Sequence, residues 1–262
     1  MSDASTRLAL RAVLAAVFVF LYVPIAVLVA LSFNEGGLPT AWSGFSVKWY
    51  VSLASNSAIL LAAGNTLIVA LASTAIATVL GTLLALGIEM RRSRSRGLEA
   101  LVFAPMIIPD IVLAIALLSF FAALDVTMGL HTIVAAHVVF NLAFVSAVVR
   151  ARLKSFDWSM VEASADLGAS GLTTFRRVTL PAILPSVVAG ALIAFTLSVD
   201  EFIIAFFTAG AGRSSITLPM QIYSMLRFGI TPEINALATL VIAVSVVALT
   251  ISQRLNRGTI GQ

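Results

Sequence analysis

Long uncharged runs alternate with short clusters of Lys and Arg along almost the whole chain. Residues 12–34 carry no charge, and neither do 49–88. Residues 100–124 are interrupted only by Asp110, and 126–149 are uncharged but hold His131 and His137. Residues 178–199 are followed by Asp200, Glu201 and a further apolar stretch to Gly212, and 234–253 close the series. A bilayer core about 30 Å thick takes about 20 apolar residues as helix. The pattern therefore predicts an all-α membrane protein with six transmembrane helices, about 12–33, 60–88, 99–123, 131–150, 184–208 and 235–253. Residues 1–262 read as one transmembrane domain. The first run has a basic approach in Arg7 and Arg11, as a signal peptide would. It is too long for an h-region of about 7–15 residues and no small-x-small site follows it, so it reads as a retained span.

The basic residues orient these spans. Six spans put both termini on one side, together with Arg7, Arg11, Arg91, Arg92, Arg94, Arg96, Arg150, Arg152, Lys154, Arg176, Arg177, Arg254 and Arg257. The opposite side keeps only Lys48, Arg213 and Arg227. Short basic loops stay cytoplasmic, so both termini are expected there. The chain is therefore expected to be a multi-pass membrane protein.

Composition removes other classes. Of the 262 residues, 60% are hydrophobic and 11% charged, where soluble domains carry about 25% charge. Mean hydropathy is +1.06. So few charges cannot cover a water-soluble surface, which excludes a soluble enzyme, a disordered chain and a nucleic-acid-binding domain. The isoelectric point near 10.1 is then a signature of topology rather than of an anionic partner. With no cysteine, disulfides, thiolate metal sites and thiol nucleophiles are impossible. No catalytic residue and no metal site is predicted: His131 and His137, six apart, fall on opposite helix faces and form no zinc pair.

Within the spans, Gly64, Gly81 and Gly87 sit in the second, and Ala and Ser are frequent in most. Small residues let membrane helices approach closely, which suits a bundle. Pro105 and Pro109 in the third span remove backbone donors and predict a kink or break. Asn65 and Asn141 are candidate interhelical hydrogen-bonding residues.

Between the fourth and fifth spans, about 155–181, lies a stretch too polar to cross and too long for a turn. Ser159 and Glu162 have capping-box spacing, Gly168 suits the position just past a helix end, and Ser170 or Thr173 would cap a second short helix. Leu172, Phe175 and Val178 would share one face of it, and Pro181 would stop it or start the next span. Trp158, Val161 and Ala165 form an apolar stripe at helical spacing. The expectation is a helical hairpin held under the membrane.

This segment resembles a known family. Glu162, Ala163 and Ser164, three further residues, Gly168, nine further residues, then Val178, Thr179, Leu180 and Pro181 are similar to the E-A-A, G, I-x-L-P loop of ABC importer permeases. Ser164 for Ala and Val178 for Ile are small departures. The resemblance implies the type I ABC importer permease architecture, with this loop docking on an ATP-binding subunit through Glu162, Ala163, Ser164, Asp166, Gly168, Leu180 and Pro181. It also implies a second homologous permease subunit, two ATP-binding subunits, an extracytoplasmic solute-binding protein and surrounding lipid as partners. ATP and Mg would be bound by the partner ATPase, with no cofactor in this chain. The chain itself has no G-x-x-x-x-G-K-[ST] phosphate loop. The stretches 104–113, 195–208, 217–220 and 231–239 further resemble the spermidine/putrescine permease group, in particular the second permease of such systems. Within that resemblance, the outer loop 210–234 would receive the solute-binding protein; the plain alternative is a connecting loop.

The buried-depth carboxylates point the same way. A charge at a helix centre costs roughly 2.5–3.5 kcal/mol on insertion scales and normally faces a bundle interior or water-filled path. Asp200, Glu201 and Asp110 are therefore candidate substrate-pathway residues, suited to a small cationic solute such as putrescine or spermidine. Adjacent residues point about 100° apart on a helix, so one of Asp200 and Glu201 faces the path and the other binds a helix or backbone group. Protonated carboxylates, pairing with the partner permease, or a helix-break role for Asp110 remain alternatives. So do an importer permease for another small solute and an ion-coupled secondary transporter, although no internal inverted repeat of the kind such carriers show is evident.

Overall fold

A computed structural model describes residues 3–37, 41–90, 96–227 and 229–257. In chain order the helices are α1 (Asp3–Ser32), α2 (Lys48–Ser55), α3 (Ser57–Met90), α4 (Arg96–Phe103), α5 (Asp110–Ala123), α6 (Leu130–Leu153), α7 (Ser159–Asp166), α8 (Gly171–Thr174), α9 (Leu180–Asp200), α10 (Ile203–Thr208), α11 (Leu218–Leu226) and α12 (Pro232–Arg257). Among the described residues there is no strand, only an isolated bridge between Asn34 and Phe45. Arg91, Arg92 and Arg94, counted above for orientation, lie outside the described residues.

Among the described residues, four helices are long and apolar enough to cross a bilayer: Thr6–Ser32, Ser57–Met90, Leu130–Leu153 and the continuous Gly171–Asp200. A bent pair, Gly97–Met106 and Asp110–Ala123, makes a fifth candidate. Its halves meet at 109°, where Pro105 and Pro109 deny the backbone two donors. The expected fifth span, 184–208, needs correction at both ends. Helix begins at Gly171 and runs through a π turn, Phe175–Thr179, into α9. There the Leu180 N–H reaches back five residues to the Phe175 carbonyl. The wide turn accommodates Pro181, which has no N–H to continue the regular ladder. At the far end α9 stops at Asp200, and α10 starts anew at Ile203.

The chain divides into two units, residues 1–60 with 222–262, and residues 61–221. In the first, α1 and α2 both pack on α12. The connection after α1 is organised by buried Asn34, whose Oδ1 accepts from the Ser43 N–H at 2.9 Å and whose Nδ2 donates to the Ala41 carbonyl at 2.7 Å. The apolar side chains of α1 from Leu8 to Val23 lie exposed in the isolated chain.

The second unit is built around α6 and α9. Val145 of α6 sits between two glycines. A Cβ on Gly81 of α3 would come within 2.9 Å of the Val145 Cβ, and one on Gly190 of α9 within 3.4 Å of its Cα. Small residues thus set the separation of three helices, as membrane packing requires. Ala85, Leu86, Val149, Leu153, Ile183 and Ala194 complete this core. A second core joins Leu113, Ala114 and Phe121 of α5 to Ala136 and Phe140 of α6 and Ile204 of α10.

Candidate functional site

The hairpin α7–α8 is anchored within the second unit by its aromatic residues. Trp158 packs on the α6–α9 core and meets buried Phe156 edge-on, with ring centroids 5.2 Å apart. The expected capping box does not form. Trp158 occupies the cap position and Ser159 is already helical. Asp157 serves instead: its Oδ1 accepts the Ser159 N–H at 3.0 Å. Hydrogen bonds from the Ser159 hydroxyl and N–H hold the Asp157 carboxyl below its ordinary value.

The other end of α7 is closed by glycine. Gly168 has φ of +78°, and its N–H donates to the Ala165 carbonyl while Ala169 N–H reaches the Ser164 carbonyl. These two bonds form a complete Schellman motif, satisfying two of the last carbonyls of α7. Ser170 then caps α8, accepting from the Thr173 N–H at 3.3 Å. Ser164 and Thr174 share a hydrogen bond of 2.9 Å that ties the two helices together.

This packing sorts the predicted docking residues into two sets. Ser164 faces its own hairpin, and Leu180, half-buried, and Pro181, exposed, lie where α9 begins. Glu162, Ala163, Asp166 and Gly168 are exposed. Among them stands Leu167, which leaves 89% of its surface open. Sequence reasoning passed over Leu167; its signal is a leucine placed directly before a helix-ending glycine, where burial within the hairpin is unavailable.

The second cluster lies at the break between α9 and α10. Asp200, the last residue of α9, is exposed. Glu201 turns inward, with 7% of its side chain accessible. Its Oε1 and Oε2 accept the N–H groups of Ile204 and Ala205, each at 2.9 Å. These are donors that a helix start leaves without partners. His137 Nε2 lies 3.5 Å from Glu201 Oε2, an ion-pair distance at which it makes no hydrogen bond, and its Nδ1 lies 2.7 Å from Ser198 Oγ. Ser198 Oγ is in turn 3.1 Å from Ser73 Oγ. Asp110 is elsewhere: exposed, and first residue of α5 after the proline-bounded bend.

The remaining polar candidates separate clearly. His131 is exposed and His137 is buried. Asn65 donates through Nδ2 to the carbonyls of Ser214 and Ile216, at 2.8 and 2.9 Å, so it holds a loop rather than a second helix. Thr66 Oγ1 accepts the Leu218 N–H at 2.7 Å at the start of α11. Asn141 is fully buried, and both its polar atoms lack a hydrogen bond. Among the described residues no group of three His, Asp or Glu could hold a metal ion.

The sequence profile described as "binding-protein-dependent transport system inner membrane component" matches residues 77–259. The spermidine/putrescine transport system permease protein PotC of Escherichia coli K12 is 39% identical over 243 residues, covering 92% of this chain and 91% of that protein. The putrescine transport system permease protein PotI of the same organism is 42% identical over 234 residues, covering 86% and 82%. Among solved structures, a bacterial ABC transporter that imports the acidic polysaccharide alginate matches with a TM-score of 0.78 at 14% identity, over 97% of this chain and 98% of that one. At such identity the likeness shows the fold.

Proposed function

The chain belongs to the binding-protein-dependent transport system inner membrane component family, and from that premise we propose that it is the permease subunit of an ATP-driven importer of polyamines, putrescine or spermidine. In this reading the chain crosses the inner membrane six times with both termini cytoplasmic, α12 being the sixth span. A second permease completes the pathway, two ATP-binding subunits hold ATP and Mg, and an extracytoplasmic binding protein delivers the solute to the loop 210–234.

The observation that carries the reading is the exposed face of the hairpin. Glu162, Ala163, Asp166, Leu167 and Gly168 present two carboxylates, a bare backbone turn and an uncovered leucine. An uncovered leucine flanked by carboxylates, on a turn fixed by its own backbone bonds, is a surface that a docking protein partner would cover. Trp158 and the direct run of α8 through the π turn into α9 make the hairpin part of the second unit's core. Displacing it moves α6 and α9 as a body, the rigid-element transmission that alternating access needs.

The substrate class rests on the relatives and on charge. The same fold serves a transporter of an acidic polysaccharide, so charge preference must come from side chains rather than from architecture. Asp200 and Asp110 are the exposed carboxylates at the two helix breaks and are assigned to the solute path; Glu201 stands behind Asp200. A polyamine brings the positive charges that compensate acids in an apolar setting.

The test is uptake of labelled putrescine and spermidine into proteoliposomes holding the chain with its permease, ATPase and binding-protein partners. Uptake that requires ATP and all partners is expected. Uptake by this chain alone, driven by an ion gradient and indifferent to ATP, would favour the secondary transporter. ATP-dependent uptake of a different solute class would retain the permease and replace the polyamine.

A further inference from the structure

Two acidic neighbours, Asp200 and Glu201, have been placed in opposite surroundings, and the polar chain behind Glu201 gives the reason. Ser73 on α3, Ser198 on α9 and His137 on α6 are each nearly or fully buried and form a row whose His137 end faces the Glu201 carboxylate. His137 presents Nε2 to Glu201 Oε2 at 3.5 Å, an electrostatic contact without hydrogen-bond geometry. The ring is held from its other side, where Nδ1 and Ser198 Oγ share a hydrogen bond of 2.7 Å, and Ser198 Oγ shares another with Ser73 Oγ, whose hydroxyl also reaches the Ala70 carbonyl at 3.4 Å. The carboxylate itself receives two backbone N–H groups.

The short helix that follows is secured at its other end as well. Thr132 Oγ1, at the start of α6, lies 2.7 Å from the Thr208 carbonyl. Gly210 follows with φ of +75°, and a Cβ there would come within 2.8 Å of the Met128 carbonyl oxygen. So α6 holds α10 at both ends, through His137 with Glu201 and through Thr132 with Thr208. Ile204 and Ala205, whose N–H groups Glu201 caps, are fully buried among α3, α5 and α6 residues.

We infer that Glu201 and His137 are positioning residues that hold the α9–α10 break in place and thereby fix where Asp200 is presented to the cationic solute, without touching the solute themselves. The inference rests on the importer reading above, with Asp200 on the path. It assigns unlike chemistry to adjacent acids. Position 201 needs acceptor oxygens, whereas position 200 needs a negative charge.

That difference makes the inference testable by amide isosteres in the complete reconstituted complex, with ATP-driven putrescine uptake normalised to assembled complex. Asp200→Asn is expected to lower uptake about tenfold or more, since it removes the charge from the path. Glu201→Gln keeps one acceptor oxygen but turns an NH2 toward the other backbone donor, so it is expected to lose about threefold through a loosened α10, with faster hydrogen exchange at the Ile204 and Ala205 amides, which Asp200→Asn leaves unchanged. Glu201→Leu and His137→Leu remove the clasp and are expected to lose about tenfold, while His137→Gln, which keeps a donor, recovers most of that loss. If Leu variants fail to assemble, the comparison of Gln variants with Asp200→Asn still decides. Glu201→Gln falling as far as Asp200→Asn with exchange at the Ile204 and Ala205 amides unchanged, or His137→Gln failing as His137→Leu does, overturns the positioning role. Unchanged uptake in both Asp200→Asn and Glu201→Gln instead removes the acidic path on which the importer reading bases its substrate.

Discussion

The hairpin turn at Gly168 and the helix break at Glu201 face the same problem with different solvents at hand. Each must satisfy backbone groups where a helix ends or begins. At Gly168 the turn is exposed, and two backbone bonds through a left-handed glycine suffice. Remaining polar groups can bond water. At Glu201 the surroundings are apolar, and an unpaired donor has no water to fall back on. There a carboxylate accepts from both N–H groups that the helix start leaves without partners, and His137 faces it from another helix. The first solution leaves a bare, approachable surface; the second leaves none. That contrast is why the hairpin suits docking and the break suits a fixed geometry.

Substitutions sharpen the contrast, beginning with the most damaging. Glu201→Leu strands the Ile204 and Ala205 donors, at about 1–3 kcal/mol for each unpaired buried group, and should lower the complex's unfolding temperature clearly in a thermal-shift assay. A near-native unfolding temperature would mean that α10 finds other partners. Gly168→Asp has the reverse profile. A residue with a Cβ in this conformation costs roughly 1–2 kcal/mol, and the space around Gly168 is open, so assembly survives. A third carboxylate on the exposed face should nonetheless cut ATP-driven uptake by about tenfold or more through lost docking, a penalty of at least about 1.4 kcal/mol. Unchanged uptake and assembly in this variant would remove the coupling role.

Smaller effects lie within the hairpin. Ser164→Ala removes the bond to Thr174 and should cost about 0.5–1.5 kcal/mol, read as faster hydrogen exchange across α7 and α8 with α6 and α9 unaffected. The smallest concerns pH. The Asp157 carboxyl is depressed by Ser159, so its contribution to the start of α7 is present above the ordinary carboxylate value of 3.8 and lost as pH falls below it. Asp157→Asn should flatten the acid dependence of exchange in α7 while leaving neutral pH nearly unchanged. A variant that keeps the wild-type acid profile would assign the dependence to another carboxylate.

The two regions also differ in how far the sequence discloses them. The hairpin is written in local spacing: glycine at the helix end, serine before α8, and the E-A-S to L-P pattern all act within a few residues. Its one local error is the cap, where Ser159 and Glu162 have the right spacing but Asp157 lies closer to the first free donor. The break at Glu201 depends on partners from distant segments. The acidic pair marks the place, but the two side chains are parted by extended backbone at Glu201 rather than by the turn of one helix, and nothing near Glu201 points to His137, Ser198 and Ser73. The spacing of His131 and His137 excludes a zinc pair but does not disclose that His137 is buried facing a carboxylate. The prolines of the third run foretold its bend, whereas α9 ends early because Glu201 caps a new helix, which hydropathy cannot register in a run that stays apolar on both sides.

The account turns on the hairpin meeting an ATP-binding subunit, and the absence of native cysteine allows that contact to be measured cleanly. In the complete complex, Ala163→Cys and Leu167→Cys are each paired with cysteines placed over the ATPase surface, with Asp125→Cys, in the connection between α5 and α6, as control. Cross-links to the ATPase from positions 163 and 167, changing in yield between nucleotide-free and ATP-bound states and absent at 125, are predicted. No cross-link from either hairpin position in any nucleotide state, in a complex that still imports solute, would contradict the account.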